Sequence, residues 1–105
     1  MSIYSVVTCA VKPEKQSDFM PLIQRYLKYK EEKPDKFKEM KSFKIFTQMF
    51  GPATYVLMWE YENLADFEKV SKRLSKDEEW MKIWQGVMLL IDPAIFSHNF
   101  WKAVI

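Results

Sequence analysis

The chain has 105 residues, of which 49% are hydrophobic, 29% charged and 16% aromatic, and its formal net charge at pH 7 is +2. This length and balance predict a single folded domain over residues 1–105. The mild charge argues against a nucleic-acid partner. A single cysteine excludes an internal disulfide, and no apolar run is long enough to span a membrane. The strand-like sequence directly after Met1 has no signal-peptide pattern, so we expect a soluble, cytoplasmic protein.

The first part of the chain predicts a strand and then a helix. "SIYSVVTCAV" (2–11) is rich in β-branched and aromatic residues and predicts a strand in which Cys9 is a buried, inert thiol. Apolar residues at helical spacing then predict an amphipathic helix that ends by Glu32. Its apolar stripe is Phe19, Leu22, Ile23, Tyr26 and Leu27. Pro21 is compatible with this helix if it lies in the first turn, with Ser17 near the N-cap.

The middle of the chain predicts a hairpin. Residues 33–41 form a charged connection with a short helical turn at "PDKFKEM", and "SFKIFTQMF" (42–50) predicts a second strand. "GP" at 51–52 indicates a turn, and "TYVLMWEYE" (54–62) predicts a third strand.

The last part predicts two helices and a fourth strand. Asn63 can cap a helix with Leu64, Phe67, Val70 and Leu74 on its inner side. "SKDE" (75–78) fits the capping-box pattern and starts another helix. The apolar stripe of that helix is Trp80, Ile83, Trp84, Val87 and Met88. Asp92-Pro93 ends the helix, and "AIFSHNFWKAV" (94–104) predicts the last strand.

The element order is β-α-β-β-α-β with the second helix split in two. It predicts an α+β, ferredoxin-like fold, in which helices cover one face of a four-stranded antiparallel sheet. The other face should be polar if it meets water. The third strand instead carries apolar side chains on both faces. One face has Tyr55, Leu57, Trp59 and Tyr61, and the other has Val56 and Met58. Two apolar faces predict a two-fold homodimer with its sheets packed face to face.

Three features give the chain a resemblance to a known group. The first is the element order. The second is a pair of segments, "VKPEK" (11–15) after the first strand and "LMWEYENLADFE" (57–68) at a strand–helix junction. The third is the tryptophans of the second helical region. Together they resemble the dimeric α+β barrel superfamily, which includes NIPSNAP-like proteins, antibiotic-biosynthesis monooxygenases and haem-degrading monooxygenases. The resemblance covers nearly the whole chain and implies the fold, but the superfamily hosts many chemistries.

The resemblance also implies where a ligand would bind. Cofactor-free oxygenases of this group act on polyphenolic molecules in a cavity between sheet and helices. The aromatic walls of such a cavity would here be Tyr4, Tyr55, Trp59, Trp80 and Trp84. The alternative is that these rings form the core and the dimer interface. The haem-degrading branch uses an Asn on the first strand and a His on the second helix, and neither is present. We therefore expect no haem of that type and no other cofactor.

His98, the only histidine, is the candidate catalytic base. It alternates with Phe96 and Phe100 on one strand face, so Asn99 points to the opposite face. The alternative is a histidine that packs in the core or at an interface. One histidine also argues against a histidine-rich metal site.

The sequence leaves two main functional interpretations open. The first is a cofactor-independent monooxygenase or isomerase that acts on a small aromatic or apolar molecule. The second is a non-enzymatic dimeric ligand-binding or interaction protein. An RNA-recognition module shares the element order, but its third strand needs a basic residue and glycines among the aromatics, and "TYVLMWEY" lacks them.

Overall fold

The strand and helix patterns of the sequence form the predicted elements in the computed structural model, which describes residues 2–50 and 54–105. Within these residues the strands are β1 (Ile3–Val11), β2 (Met40–Thr47), β3 (Thr54–Tyr61) and β4 (Ile91–Lys102). The helices are α1 (Gln16–Glu32), α2 (Leu64–Leu74) and α3 (Glu78–Leu90), with 3₁₀ turns at Pro13–Lys15 and Pro34–Phe37. The α+β, ferredoxin-like order is confirmed, and the turn predicted at 51–52 lies outside the described residues.

The sheet is antiparallel throughout, with the strand order β2-β3-β1-β4. β1 is therefore interior, and its Val7 lies between Leu57 of β3 and His98 of β4. Alternate residues of β1 and β3 pack under the helices, where they join the buried side chains of α1, α2 and α3 in one core. Cys9 in this core is fully buried, and burial raises the pKa of its thiol to about 11. It is thus the unreactive thiol that the sequence predicted.

The buried stripe of α1 differs from the predicted one at its C-terminal end. Phe19, Ile23 and Tyr26 are buried as expected, but Leu27 is 43% exposed and Tyr29 is buried instead. Tyr29 lies one turn after Tyr26 on the same side of the helix, and its hydroxyl donates a hydrogen bond to the carboxylate of Asp77. The contact of Tyr29 with Asp77, which is distant in the sequence, therefore decides which side of the last turns of α1 is buried. The spacing of apolar residues does not reveal such a contact.

Two predictions for proline need correction. α1 begins at Gln16, so Pro21 is the sixth helical residue and lies beyond the first turn, where it removes one backbone hydrogen bond from the helix. β4 begins at Ile91 and includes Pro93, although Asp92-Pro93 was expected to precede the strand. An edge strand tolerates proline because one row of its backbone N–H groups has no strand partner.

Asp77, rather than Ser75, is the N-cap of α3. The backbone at Asp77 is extended, and its carboxylate accepts hydrogen bonds from the backbone N–H groups of Glu79 (3.0 Å) and Trp80 (3.2 Å). Ser75 keeps a helical backbone and donates its hydroxyl proton to the carbonyl of Lys72. The predicted capping box is wrong because Ser75, the serine that was expected to start α3, is the C-cap residue of α2.

The carboxylate of Asp77 also joins three separate segments. It is only 8% exposed, it accepts a hydrogen bond from the Tyr29 hydroxyl of α1, and it forms an ion pair with Lys36 of the second 3₁₀ turn. Removal of this carboxylate leaves the buried hydroxyl of Tyr29 without an acceptor.

No helix within residues 2–50 and 54–105 has the length and apolar character needed to cross a membrane. The cytoplasmic location stays a prediction.

We predict that Asp77→Ala lowers the free energy of unfolding by about 2–4 kcal/mol, because it removes both a helix cap and a buried hydrogen-bonding centre. Urea unfolding followed by circular dichroism measures the change. Asn63→Ala is the matched control, since Asn63 caps α2 through a single exposed bond to the backbone of Asp66. It should cost about 1 kcal/mol. Equal losses in the two variants would contradict the role given to Asp77.

Candidate functional site

A cavity of about 330 Å³ lies between the sheet and the helices α2 and α3. Strands β1, β3 and β4 form its floor, and the two helices form its opposite wall. The volume is at the lower end of the range for ligand sites, so it suits a small molecule. The lining is mostly apolar, with few polar groups, which is typical of small-molecule sites.

Three tryptophans form the aromatic wall of this cavity. Trp80 and Trp84 lie one turn apart on α3, and their rings are stacked, with centroids 6.0 Å apart and planes at 11°. The i, i+4 spacing places both rings on one side of the helix. Trp59 of β3 meets Trp84 edge-on at 6.3 Å.

A buried tyrosine holds the tryptophan wall from behind. The indole N–H of Trp59 donates a hydrogen bond of 3.0 Å to the hydroxyl oxygen of Tyr26, and the Tyr26 ring contacts Trp80 edge-on at 5.2 Å. Burial raises the pKa of Tyr26 well above its usual range, so its hydroxyl stays neutral. Since Trp59 is itself only 8% exposed, its orientation is fixed before any ligand binds.

The polar part of the cavity is a contact between two neighbouring strands. Ser5 of β1 and His98 of β4 face the same side of the sheet, and Ser5 Oγ lies 2.7 Å from His98 Nε2. Ser5 is 3% exposed, whereas His98 is exposed at the edge of the sheet. The His98 ring packs against Phe100 (5.0 Å) and against Phe67 of α2 (6.2 Å).

The sequence analysis did not identify Ser5. A signal was present, because Ser5 is the only hydroxyl in an otherwise apolar series of alternating residues in β1. The other members of this series are Ile3, Val7, Cys9 and Val11. A polar residue in such a series needs a hydrogen-bond partner when it is buried.

The structure brings together four of the residues predicted for the site and separates the other two. His98, Trp59, Trp80 and Trp84 all line the cavity. Tyr55 is on the helix side of the sheet but packs on Phe19 at 4.4 Å, outside the cavity. Tyr4 is next to Glu60 and Trp101 in the register, on the opposite face of the sheet. The binding and catalytic roles of these residues stay predictions.

Charge is scarce around the site. Among the described residues that line the cavity, none is Asp, Glu, Lys or Arg, and the groups that can ionise near it are His98 and Tyr61. Burial raises the pKa of Tyr61, which keeps this phenol neutral. No group of three or more potential metal ligands occurs within residues 2–50 and 54–105. The arrangement can therefore hold a flat apolar molecule with one polar group directed toward Ser5 and His98.

The fold has close counterparts among solved structures. A NIPSNAP family protein from Agrobacterium tumefaciens matches with a TM-score of 0.77 at 16% identity, over 98% of this chain and 86% of that one. A conserved protein from Methanosarcina mazei matches with a TM-score of 0.74 at 18% identity, over 97% and 92%. SnoaB, a cofactor-independent oxygenase from Streptomyces nogalater, matches with a TM-score of 0.74 at 10% identity, over 99% and 94%. At such identities these similarities establish the fold alone.

The sequence comparisons are more specific about the family. No curated protein matches the chain. The family model described as NIPSNAP matches residues 4–92, which is most of the sequence. The predicted resemblance is thus confirmed, and the chain belongs to the NIPSNAP family.

Proposed function

We propose that the protein binds a small aromatic molecule in the cavity between sheet and helices and that His98 removes a proton from it. The observation that supports this most strongly is the meeting of three tryptophans and the only histidine in one cavity. Aromatic rings bind flat ligands by stacking and edge contacts. The small volume and the scarcity of charge favour a neutral molecule with few polar groups.

Removal of a proton is the first step of either chemistry that the superfamily resemblance implies. In an isomerisation, the anion takes a proton back at another atom. In a cofactor-independent oxygenation of a CH₂ group, the anion supplies electrons to O₂. One oxygen atom then forms the new carbonyl, and the other leaves as water with the two hydrogens of the CH₂ group. The fold similarity to SnoaB agrees with the second chemistry.

One observation favours a non-enzymatic ligand-binding protein instead. Within the described part of the chain, the hydrogen bond given to the His98 ring is the one with Ser5, and no carboxylate orients the imidazole. Histidine bases commonly have a third group that fixes their tautomer. A measurement of turnover, rather than of binding, therefore distinguishes an enzyme from a non-enzymatic ligand-binding protein.

We predict that His98→Ala binds the same ligand as the wild type but loses turnover by about 10²–10⁴-fold, the usual contribution of a positioned base. A thermal-shift screen with polyphenols, quinones, flavins and haem identifies the ligand, because a ligand that binds the native state raises its melting temperature. Turnover is then followed by product analysis with and without O₂.

Asn99→Ala is the matched control, because Asn99 is adjacent on β4 but faces the opposite side of the sheet. It should leave turnover unchanged. Equal turnover in His98→Ala and the wild type would refute His98 as the base. Wild-type binding without any turnover would establish the non-enzymatic alternative.

We also propose that the protein is a homodimer, joined through the sheet face that the helices do not cover. Val6 lies on this face, as do Met58, Phe46 (49% exposed) and Trp101 (52% exposed). Lys44 and Glu60 lie on it too, beside Met58 and Ser42 respectively. A second copy fits such a surface because a two-fold contact buries the apolar side chains of both copies and can pair opposite charges.

We predict that Met58→Asp converts the dimer to a folded monomer, because it places a charge in the centre of the apolar contact. Sedimentation velocity at micromolar concentration measures the mass. Leu89→Asp is the matched control, since Leu89 is 73% exposed on α3, in the helix layer. It should remain dimeric. A monomeric wild-type protein would contradict the proposed interface.

A further inference from the structure

We propose that Ser5 relays a proton from the bound ligand to His98, so that the two side chains form a proton path from the cavity wall to solvent. This inference rests on the proposed binding function. It assigns a role to Ser5, which lines the same cavity as His98, the predicted base. The relay differs from direct proton abstraction by His98, in which Ser5 would only hold the ring in place.

The first observation is the difference in exposure between the two partners. Ser5 is 3% exposed and lines the cavity, and His98 is exposed on the edge strand β4. Their side chains are joined by a hydrogen bond of 2.7 Å. The bond therefore connects a group that a ligand can reach with a group that water can reach. Such a connection gives a proton a direct route from the cavity wall to water.

The second observation is which ring nitrogen makes the bond. Ser5 contacts Nε2, and in the tautomer protonated at Nδ1 the serine hydroxyl donates its proton to that nitrogen. The lone pair of Nε2 is then occupied by Ser5. The lone pairs of Ser5 Oγ remain able to accept a hydrogen bond from a ligand hydroxyl in the cavity. A ligand hydroxyl that binds Ser5 Oγ therefore has its proton one hydrogen bond away from Nε2.

The transfer is balanced and leaves Ser5 unchanged. The ligand O–H bond breaks and its proton binds Ser5 Oγ, while the original hydroxyl proton of Ser5 moves to Nε2. His98 is then an imidazolium beside the anion, and it returns a proton to water only after the anion has left or reacted. The ligand stays in the cavity as an anion, and no oxidant or cofactor takes part in this step.

The third observation is the electrostatic environment. His98 faces Phe67 of α2 and lies beside Val7 of β1, neither of which titrates, and Tyr61 of β3 is kept neutral by burial. On its own strand, Lys102 shares its face and lies opposite Ile3. Among the described residues lining the cavity, the imidazolium is thus the only cation beside a ligand anion.

The test uses 4-nitrophenol, whose anion absorbs visible light at longer wavelengths than the neutral phenol. Binding is measured by equilibrium dialysis, and the phenolate share of the bound probe by absorbance, at a pH below the probe's own pKa. We expect wild-type protein to bind the probe largely as phenolate. In Ser5→Ala and His98→Ala the ratio of phenolate to phenol should fall about tenfold, equal to a shift of one pKa unit, while the affinity for the neutral phenol stays within about threefold.

Two variants and one control separate the relay from a structural role. Ser5→Thr keeps the hydroxyl and should keep the phenolate, whereas Ser5→Cys keeps the size but should lose it. Ser97→Ala, which removes a hydroxyl from β4 on the opposite face of the sheet, should behave like the wild type. Circular dichroism confirms that each variant is folded, so Ser5→Cys replaces Ser5→Ala if the latter does not fold.

Each remaining outcome overturns a defined part of the proposal. If the wild type binds the probe as neutral phenol, the relay is wrong and the binding function stands. If the Ser5 variants keep the phenolate and His98→Ala loses it, His98 takes the proton directly. If the wild type does not bind the probe and also shows no shift with any aromatic class, the proposed function fails and the relay with it.

Discussion

The helices cover only one face of the sheet, and this constraint determines the rest of the structure. β1 is one of the two interior strands, and both Val7 on the covered face and Val6 on the other face are buried. The covered face carries the core and the cavity. The uncovered face carries apolar side chains that a monomer leaves in contact with water, which is unfavourable by about 25 cal/mol for each Å² of apolar surface. We therefore propose two roles for one sheet, a ligand site on one side and an association surface on the other.

The position of the cavity follows from the point at which α3 begins. Asp77 caps this helix and is held by Tyr29 and Lys36, so the start of α3 is fixed relative to α1 and the second 3₁₀ turn. Trp80 and Trp84 follow in the first two turns and consequently face β3, where Trp59 meets them. A buried acid outside the ligand site thus positions the aromatic wall.

The sequence predicted the features that depend on local pattern. Alternating and helical periodicities gave the strand and helix order, and the i, i+4 spacing of Trp80 and Trp84 placed both rings on one side of a helix. Features that depend on the register of distant segments were not predictable in this way. The contact of Ser5 with His98 joins residues 93 positions apart in the chain. The alternation of side chains along β1 shows which residues share a face with Tyr4. Only the packed structure shows that the helices cover the opposite face. The burial of Tyr29 and the capping of α3 by Asp77 likewise depend on a tertiary contact.

The measurement that tests the central claim most directly is the affinity for the aromatic ligand, measured by isothermal titration calorimetry in Trp84→Ala and Trp101→Ala. Both variants lose one indole ring, but Trp84 lines the cavity and Trp101 lies on the opposite face of the sheet. We predict that Trp84→Ala weakens binding about tenfold, the scale of a lost aromatic contact, and that Trp101→Ala leaves it within about twofold. A loss confined to Trp101→Ala, or an equal loss in both variants, would show that the ligand does not bind between the sheet and the helices.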